Sequence, residues 1–156
     1  MTLDTVARLV VDLRSVESPD REALGGKAAG LVDLIRAGCA VPPAVVLTTD
    51  VLSLFLDSIG LSDFVDPHQI RTAPVPGVVT AALDRCVELL GPGPLAVRSS
   101  ARAEDLRDSS FAGQYETVLN VEGREALEEA VRRCWASCFS ARVAAYGQPV
   151  MSRRWR

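Results

Sequence analysis

The chain has 156 residues, 48% of them hydrophobic and 24% charged. That is the balance of one ordinary folded domain, enough to bury roughly 70% of the surface the unfolded chain exposes, and it excludes fibrous and disordered classes. Seventeen basic and twenty acidic side chains leave a formal charge of −3, so no overall field draws in nucleic acid or an anionic membrane, and any phosphate site has to be local.

The longest apolar stretches, 40–48 and 51–56, stop well short of the ~20 residues a membrane span needs, and the N-terminus lacks the basic region and apolar run of a signal peptide. The expected location is the cytoplasm. Cys39, Cys86, Cys134 and Cys138 show no metal-ligand spacing, and are expected to be buried, reduced thiols. All basic residues but one are arginine, which makes the single lysine, Lys27, a residue to locate.

In chain order, the apolar run at 8–14 predicts a strand, and the polar, proline-containing segment 15–23 a loop. Gly25 and Gly26 then open a helical pattern that places Ala28, Leu31, Val32 and Ile35 on one face, with Gly38 as its left-handed stop. Lys27 falls in the first turn. Val41-Pro42-Pro43 is a stiff connector into a strand at 44–48, and Thr49 or Asp50 is placed to cap a helix over 51–58.

Residues 60–77, with three prolines and the only histidine, read as irregular surface with one short turn at Asp66-Pro67. A helix is predicted over 78–90, a short strand over 94–97 and a second strand over 115–121. The last helix, 124–146, carries Leu127, Val131, Cys134 and Cys138 on its core face, while Glu128 with Arg132 and Glu129 with Arg133 form favourable pairs on the other. Trp135 and Phe139 are assigned to the core. The alternation of strands and helices indicates an α/β or α+β domain.

Two phosphate motifs fail on inspection. Around Gly25-Gly26-Lys27-Ala28, Arg21 stands where a P-loop needs its first glycine and Ala28 where it needs a hydroxyl for magnesium. The run from Gly91 to Ala96 precedes a strand and follows a helix, the reverse of a dinucleotide-binding turn. What survives is more general. A Gly-Gly turn feeding a helix directs backbone N–H groups and the positive end of the helix dipole at one point, and Lys27 adds a full charge there. Arg98, at a strand end and followed by Ser99 and Ser100, is a second oxyanion-binding group. Ser109, Ser110, Ala112 and Gly113 form a small-residue loop that lets backbone amides approach phosphate oxygens. Glu104, Asp105 and Asp108 read as a solvated acidic loop beside Arg102 and Arg107, and His68 as a surface residue.

Taken together, the stretches Leu24-Gly25-Gly26-Lys27-Ala28-Ala29-Gly30-Leu31, Val41-Pro42-Pro43-Ala44, Ala96-Val97-Arg98-Ser99-Ser100-Ala101, Ser110-Phe111-Ala112-Gly113-Gln114, Glu116-Thr117-Val118-Leu119-Asn120-Val121 and Arg133-Cys134-Trp135-Ala136-Ser137 occur in order. In this the chain resembles the N-terminal nucleotide-binding domain of the phosphoenolpyruvate synthase, pyruvate phosphate dikinase and rifampicin phosphotransferase family, over about residues 8–146. The resemblance implies the N-terminal lobe of an ATP-grasp-like domain, a mixed sheet with flanking helices. It divides the chain into a partial AMP/ATP-binding domain at 1–146 and a basic tail at 147–156.

The resemblance further implies that Lys27 and Arg98 hold the phosphates of ATP, while a loop through Ser110, Gly113, Gln114 and Thr117 covers them. No catalytic residue and no metal ligand is assigned. Family members continue into a second ATP lobe with magnesium-binding carboxylates and a histidine domain that receives the phosphoryl group, so Mg2+ is expected for the complete site but not from this chain. The expectation is a dikinase-type phosphotransferase lobe that needs a separate chain to complete it, with no ATP turnover alone. A non-catalytic nucleotide-binding or regulatory module and a degenerate truncated homologue stay open as alternatives. The expected partners are ATP and that second chain, with neither nucleic acid nor membrane.

Overall fold

The computed structural model describes residues 3–20, 24–61, 66–100 and 116–146. Helices α1 (Leu3–Leu9), α2 (Gly26–Arg36), α3 (Thr49–Ser58), α4 (Pro67–Thr72), α5 (Gly77–Leu90) and α6 (Arg124–Tyr146) are interspersed with strands β1 (Val10–Asp12), β2 (Val45–Leu47), β3 (Leu95–Arg98) and β4 (Thr117–Val121). This is the mixed α/β class expected, consistent with an N-terminal ATP-grasp-like lobe. Among the described residues the strands form two separate antiparallel ladders, β1 with β2 and β3 with β4.

The first strand is shorter than its apolar run suggested. Leu3–Leu9 is helical, Val10–Asp12 extended and Leu13–Ser15 a 3-10 turn. The strand stops because the Asp12 carboxylate accepts the Arg14 backbone N–H at 3.0 Å and the Arg14 guanidinium at 3.2 and 2.9 Å. This local side-chain-to-backbone bond competes with the ladder and wins. The hydrogen bonds from the Arg14 guanidinium, helped by the backbone one, hold the Asp12 carboxyl below the ordinary aspartate value.

In the β1–β2 ladder Val10 faces Leu47, Val11 faces Val46 and Asp12 faces Val45. Alternation along a strand sends successive side chains to opposite faces. Val10, Val45 and Leu47 therefore join one core, with Phe55, Leu56, Ile70, Leu83, Val131 and Phe139. Val11 and Val46 pack instead on a smaller cluster of Leu13, Leu24, Ala28 and Val32. The ladder is a partition with α2 on one side and α3, α5 and α6 on the other.

Helix α2 ends as its sequence proposed. Gly38 takes φ 78°, and its N–H and that of Cys39 donate to the carbonyls of Ile35 and Leu34 at 3.0 Å each. Helix α3 begins at Thr49, one of the two residues expected to cap it and two ahead of its expected start. Thr48 holds the capping position, but its hydroxyl makes no cap and donates instead to the Arg8 carbonyl at 3.4 Å, tying α1 to α3. The segment expected to be irregular contains α4. Asp66 caps it by accepting the His68 N–H at 2.9 Å, Pro67 supplies the preset φ of a first helical residue, and Ile70 is fully buried. Six residues are too few to show a periodic pattern; burial of Ile70 makes the helix.

Helix α6 carries Leu127, Val131, Cys134, Cys138 and Phe139 into the interior. The Phe55 and Trp135 rings meet with centroids 5.3 Å apart, within the range of favourable tilted aromatic pairs. The Glu128–Arg132 pair forms at 3.5 Å, but the hydrogen bonds of Arg133 go to Glu116 rather than Glu129. A partner brought by the fold displaces the neighbour offered by helical spacing. Cys39 also departs from expectation. It is exposed, just beyond the left-handed Gly38 that carries the chain away from the core. Among the described residues no helix is long and apolar enough to cross a membrane.

Candidate functional site

Helix α2 starts where the chain closes against β3. Gly25 sits at φ 79°, and a β-carbon there would lie 1.6 Å from the carbonyl oxygen of Ser100 and 2.7 Å from its hydroxyl. Only glycine fits both the conformation and the space. The Ala28 N–H donates to the Ser100 hydroxyl at 3.0 Å. A residue 72 positions away thus satisfies one of the open N–H groups at the helix start. That hydroxyl takes a donor which the sequence alone had left for an anion.

This contact brings two of the predicted groups into one neighbourhood. Lys27, half-buried, is one residue before Ala28, and Arg98 is two residues before Ser100. Arg98 is exposed at the end of β3, and Thr117, also exposed, stands directly across from it in the β3–β4 ladder. A bulge between Leu95 and Val97 interrupts that ladder, a device that re-aims strand side chains. Val97 and Val118 face the core, so Ala96, Arg98, Thr117 and Leu119 share the open face. Ser110, Gly113 and Gln114, together with Glu104, Asp105 and Asp108, lie outside the described residues. His68 is exposed on α4, as its surroundings in the sequence suggested.

Helix α6 supports the strand ends with two thiols that the sequence reading placed only in the core. The Cys134 thiol donates to the carbonyls of Val97 at 3.5 Å and Glu116 at 3.3 Å, and the Cys138 thiol reaches the Ser99 hydroxyl at 3.3 Å. Burial is the main cause that pushes Cys134 up to about 12, with Cys138 and Glu116 adding to it. Cys134 is therefore a neutral donor at physiological pH, not a nucleophile. The available signal was their spacing. Two small side chains four apart on one helix face let a neighbouring backbone approach closely.

Among the described residues no group of three or more His, Cys, Asp or Glu stands where it could hold a metal ion, so the described donor set does not fit magnesium. What the arrangement offers is cationic and hydrogen-bonding. A lysine at a helix start, an arginine at a strand end and a threonine hydroxyl beside it make a set of groups suited to phosphate oxygens.

Comparison with known proteins gives the class as a nucleotide-binding domain. Residues 67–149 match the family model of the pyruvate phosphate dikinase AMP/ATP-binding domain. The chain belongs to that family. It is similar to a phosphoenolpyruvate synthase of Aeropyrum pernix, at 34% identity over 89% of this chain and 20% of the relative. A rifampicin phosphotransferase of a Streptomyces species is 37% identical over 89% of this chain and 19% of its own length. The prodigiosin synthesizing transferase PigC of Serratia marcescens is 38% identical over 90% of this chain and 17% of its own length. The chain thus spans about a fifth of the length of these curated relatives.

Proposed function

We propose that this chain binds ATP and supplies the phosphate-gripping lobe of a phosphotransferase of the phosphoenolpyruvate synthase and pyruvate phosphate dikinase type. The observation that carries the reading is the closure of Gly25 and Ala28 on Ser100, which holds Lys27 and Arg98 to one end of the β3–β4 ladder. Lys27 and Arg98 neutralise the triphosphate, the Thr117 hydroxyl donates to a phosphate oxygen, and Ser110, Gly113 and Gln114 complete the cover. In a closed, ATP-grasp-like arrangement the site acts by positioning and charge neutralisation, with little covalent work for the protein.

The relatives are named for different reactions, which favours assigning the choice of acceptor to other parts of such proteins. The phosphoryl group is proposed to pass to a histidine on another domain or chain, which then delivers it. The complete site takes Mg2+ on residues other than those described, and the setting is cytoplasmic.

Calorimetric titration of ATP into the full chain tests the assignment. Replacing Lys27 or Arg98 by Ala is expected to weaken binding by about 1.5–3 kcal/mol each, the contribution of a charged hydrogen bond. Unchanged affinity in both variants sinks it.

A further inference from the structure

Every polar group of Glu116 is engaged by a helix. Its N–H donates to the Ser137 hydroxyl at 3.0 Å, and its carbonyl accepts the Cys134 thiol at 3.3 Å. One carboxylate oxygen accepts from Arg133 through Nε at 2.9 Å and also through Nη2, and the other faces Arg71 of α4 at 3.8 Å. The next residue is Thr117, the first of β4, paired with Arg98 in the ladder. The thiol that holds the Glu116 carbonyl also holds Val97, the residue before Arg98. Helix α6 therefore holds the residue before each member of the Arg98–Thr117 pair, and α4 adds a charge contact to one of them.

We infer that Glu116, through Arg133 and Arg71, is a positioning residue that sets Thr117 against Arg98 and thereby the affinity of the phosphate grip. This rests on reading that pair as phosphate-binding. Positioning and plain charge predict opposite signs. On charge alone, a carboxylate next to Thr117 repels an incoming triphosphate, so removing it should tighten binding. As a positioning group, its removal lets the start of β4 move and weakens binding. A shift of an ångström in a positioning group is costly because the gain from prepaid orientation is lost.

The substitution is expected to leave a folded protein. Arg71 and Arg133 line a surface cavity with Arg132 and Glu129, so water can reach the two guanidiniums once the carboxylate is gone. Arg71 is already 52% exposed and Arg133 37%. Such partly exposed pairs contribute modestly to stability. A local effect on affinity can then be separated from global unfolding.

The test uses the full chain, with ATP and inorganic tripolyphosphate titrated separately. Glu116→Gln is compared with Glu88→Gln, which makes the same change in net charge by breaking the exposed Arg85–Glu88 pair on α5. Glu116→Gln is expected to weaken both probes about five- to tenfold, in the range of coupling between contacting residues, while Glu88→Gln leaves them unchanged. Should Glu116→Gln fail to fold, Glu116→Asp asks the same question, since it keeps the charge and shortens the reach. Wild-type binding with unchanged or tighter binding by Glu116→Gln overturns this inference alone. Failure of the wild-type chain to bind either probe overturns the phosphate-gripping reading and this inference with it.

Discussion

The two faces of the β1–β2 ladder lead into cores of very different depth. On one face the strands join a cluster that runs through Phe55, Ile70, Leu83, Leu127 and Phe139; on the other they meet only Leu13, Leu24, Ala28 and Val32. The proposed phosphate groups are divided between them. Lys27 stands on α2 and the small core, whereas Arg98 and Thr117 stand on the ladder that α6 holds to the large one. The match to the family model, residues 67–149, covers the large side alone. A site split in this way has two halves that share the β1–β2 ladder and also meet directly where Gly25 and Ala28 close on Ser100.

The largest test of that contrast is in the cores themselves. Phe139→Ala is expected to cost about 3–5 kcal/mol in urea denaturation and Val32→Ala about 2 kcal/mol, because the first empties a fully buried ring from a deep core and the second removes two methyls from a shallow one. Equal losses would erase the distinction. Gly25→Ala comes next, at about 3 kcal/mol, since it adds left-handed strain to a collision with the Ser100 backbone. Its effect should be strongest on hydrogen exchange at the start of α2, where the small core meets β3.

A pH effect sharpens the same contrast, because it belongs to the large side. Burial pushes both Cys86 and Cys134 up to about 12, from an ordinary value near 9. The native state then holds these protons more tightly than the unfolded chain, so stability is flat below the ordinary value and falls as pH rises toward 12. At pH 10 the loss is expected to be about 1 kcal/mol per thiol, read as the denaturation midpoint in Cys86→Ala and Cys134→Ala backgrounds. A disulfide reagent at neutral pH should label exposed Cys39 fastest. Smallest is Ser100→Ala. It removes one helix-start hydrogen bond at about 1 kcal/mol, yet if the seam aligns the two halves it should weaken ATP binding out of proportion to that loss.

Much of this molecule was legible because its signals are local. Gly38 marks the end of α2, Gly91 takes φ 74° at the end of α5, and the apolar face of α6 shows in the spacing of Leu127, Val131, Cys134 and Cys138. Helix α4 was missed despite its Asp-Pro start, since six residues show no periodicity and only the burial of Ile70 makes it worth forming. The apolar run at 8–14 reads as one strand because nothing in its hydropathy records the Asp12–Arg14 bond that ends it. In the proposed site, Lys27 and Arg98 stand out from chemistry that each carries by itself. Ser100 as the cap of a helix 72 residues earlier was not, because its partner is distant in sequence.

The sequence by itself determined where each long element begins and stops, which faces are apolar, and which residues carry charge at a helix start and a strand end. These follow from backbone conformation and side-chain chemistry within a few residues. Only the tertiary structure decided what those residues meet: that Gly25 must be bare because Ser100 lies against it, and that Arg133 takes Glu116 instead of Glu129. It also decided that buried thiols underpin the ends of β3 and β4. The physical reason is common to all three. Each is a contact between segments that approach only after the cores have formed, and its energy depends on distance and burial that no local pattern encodes.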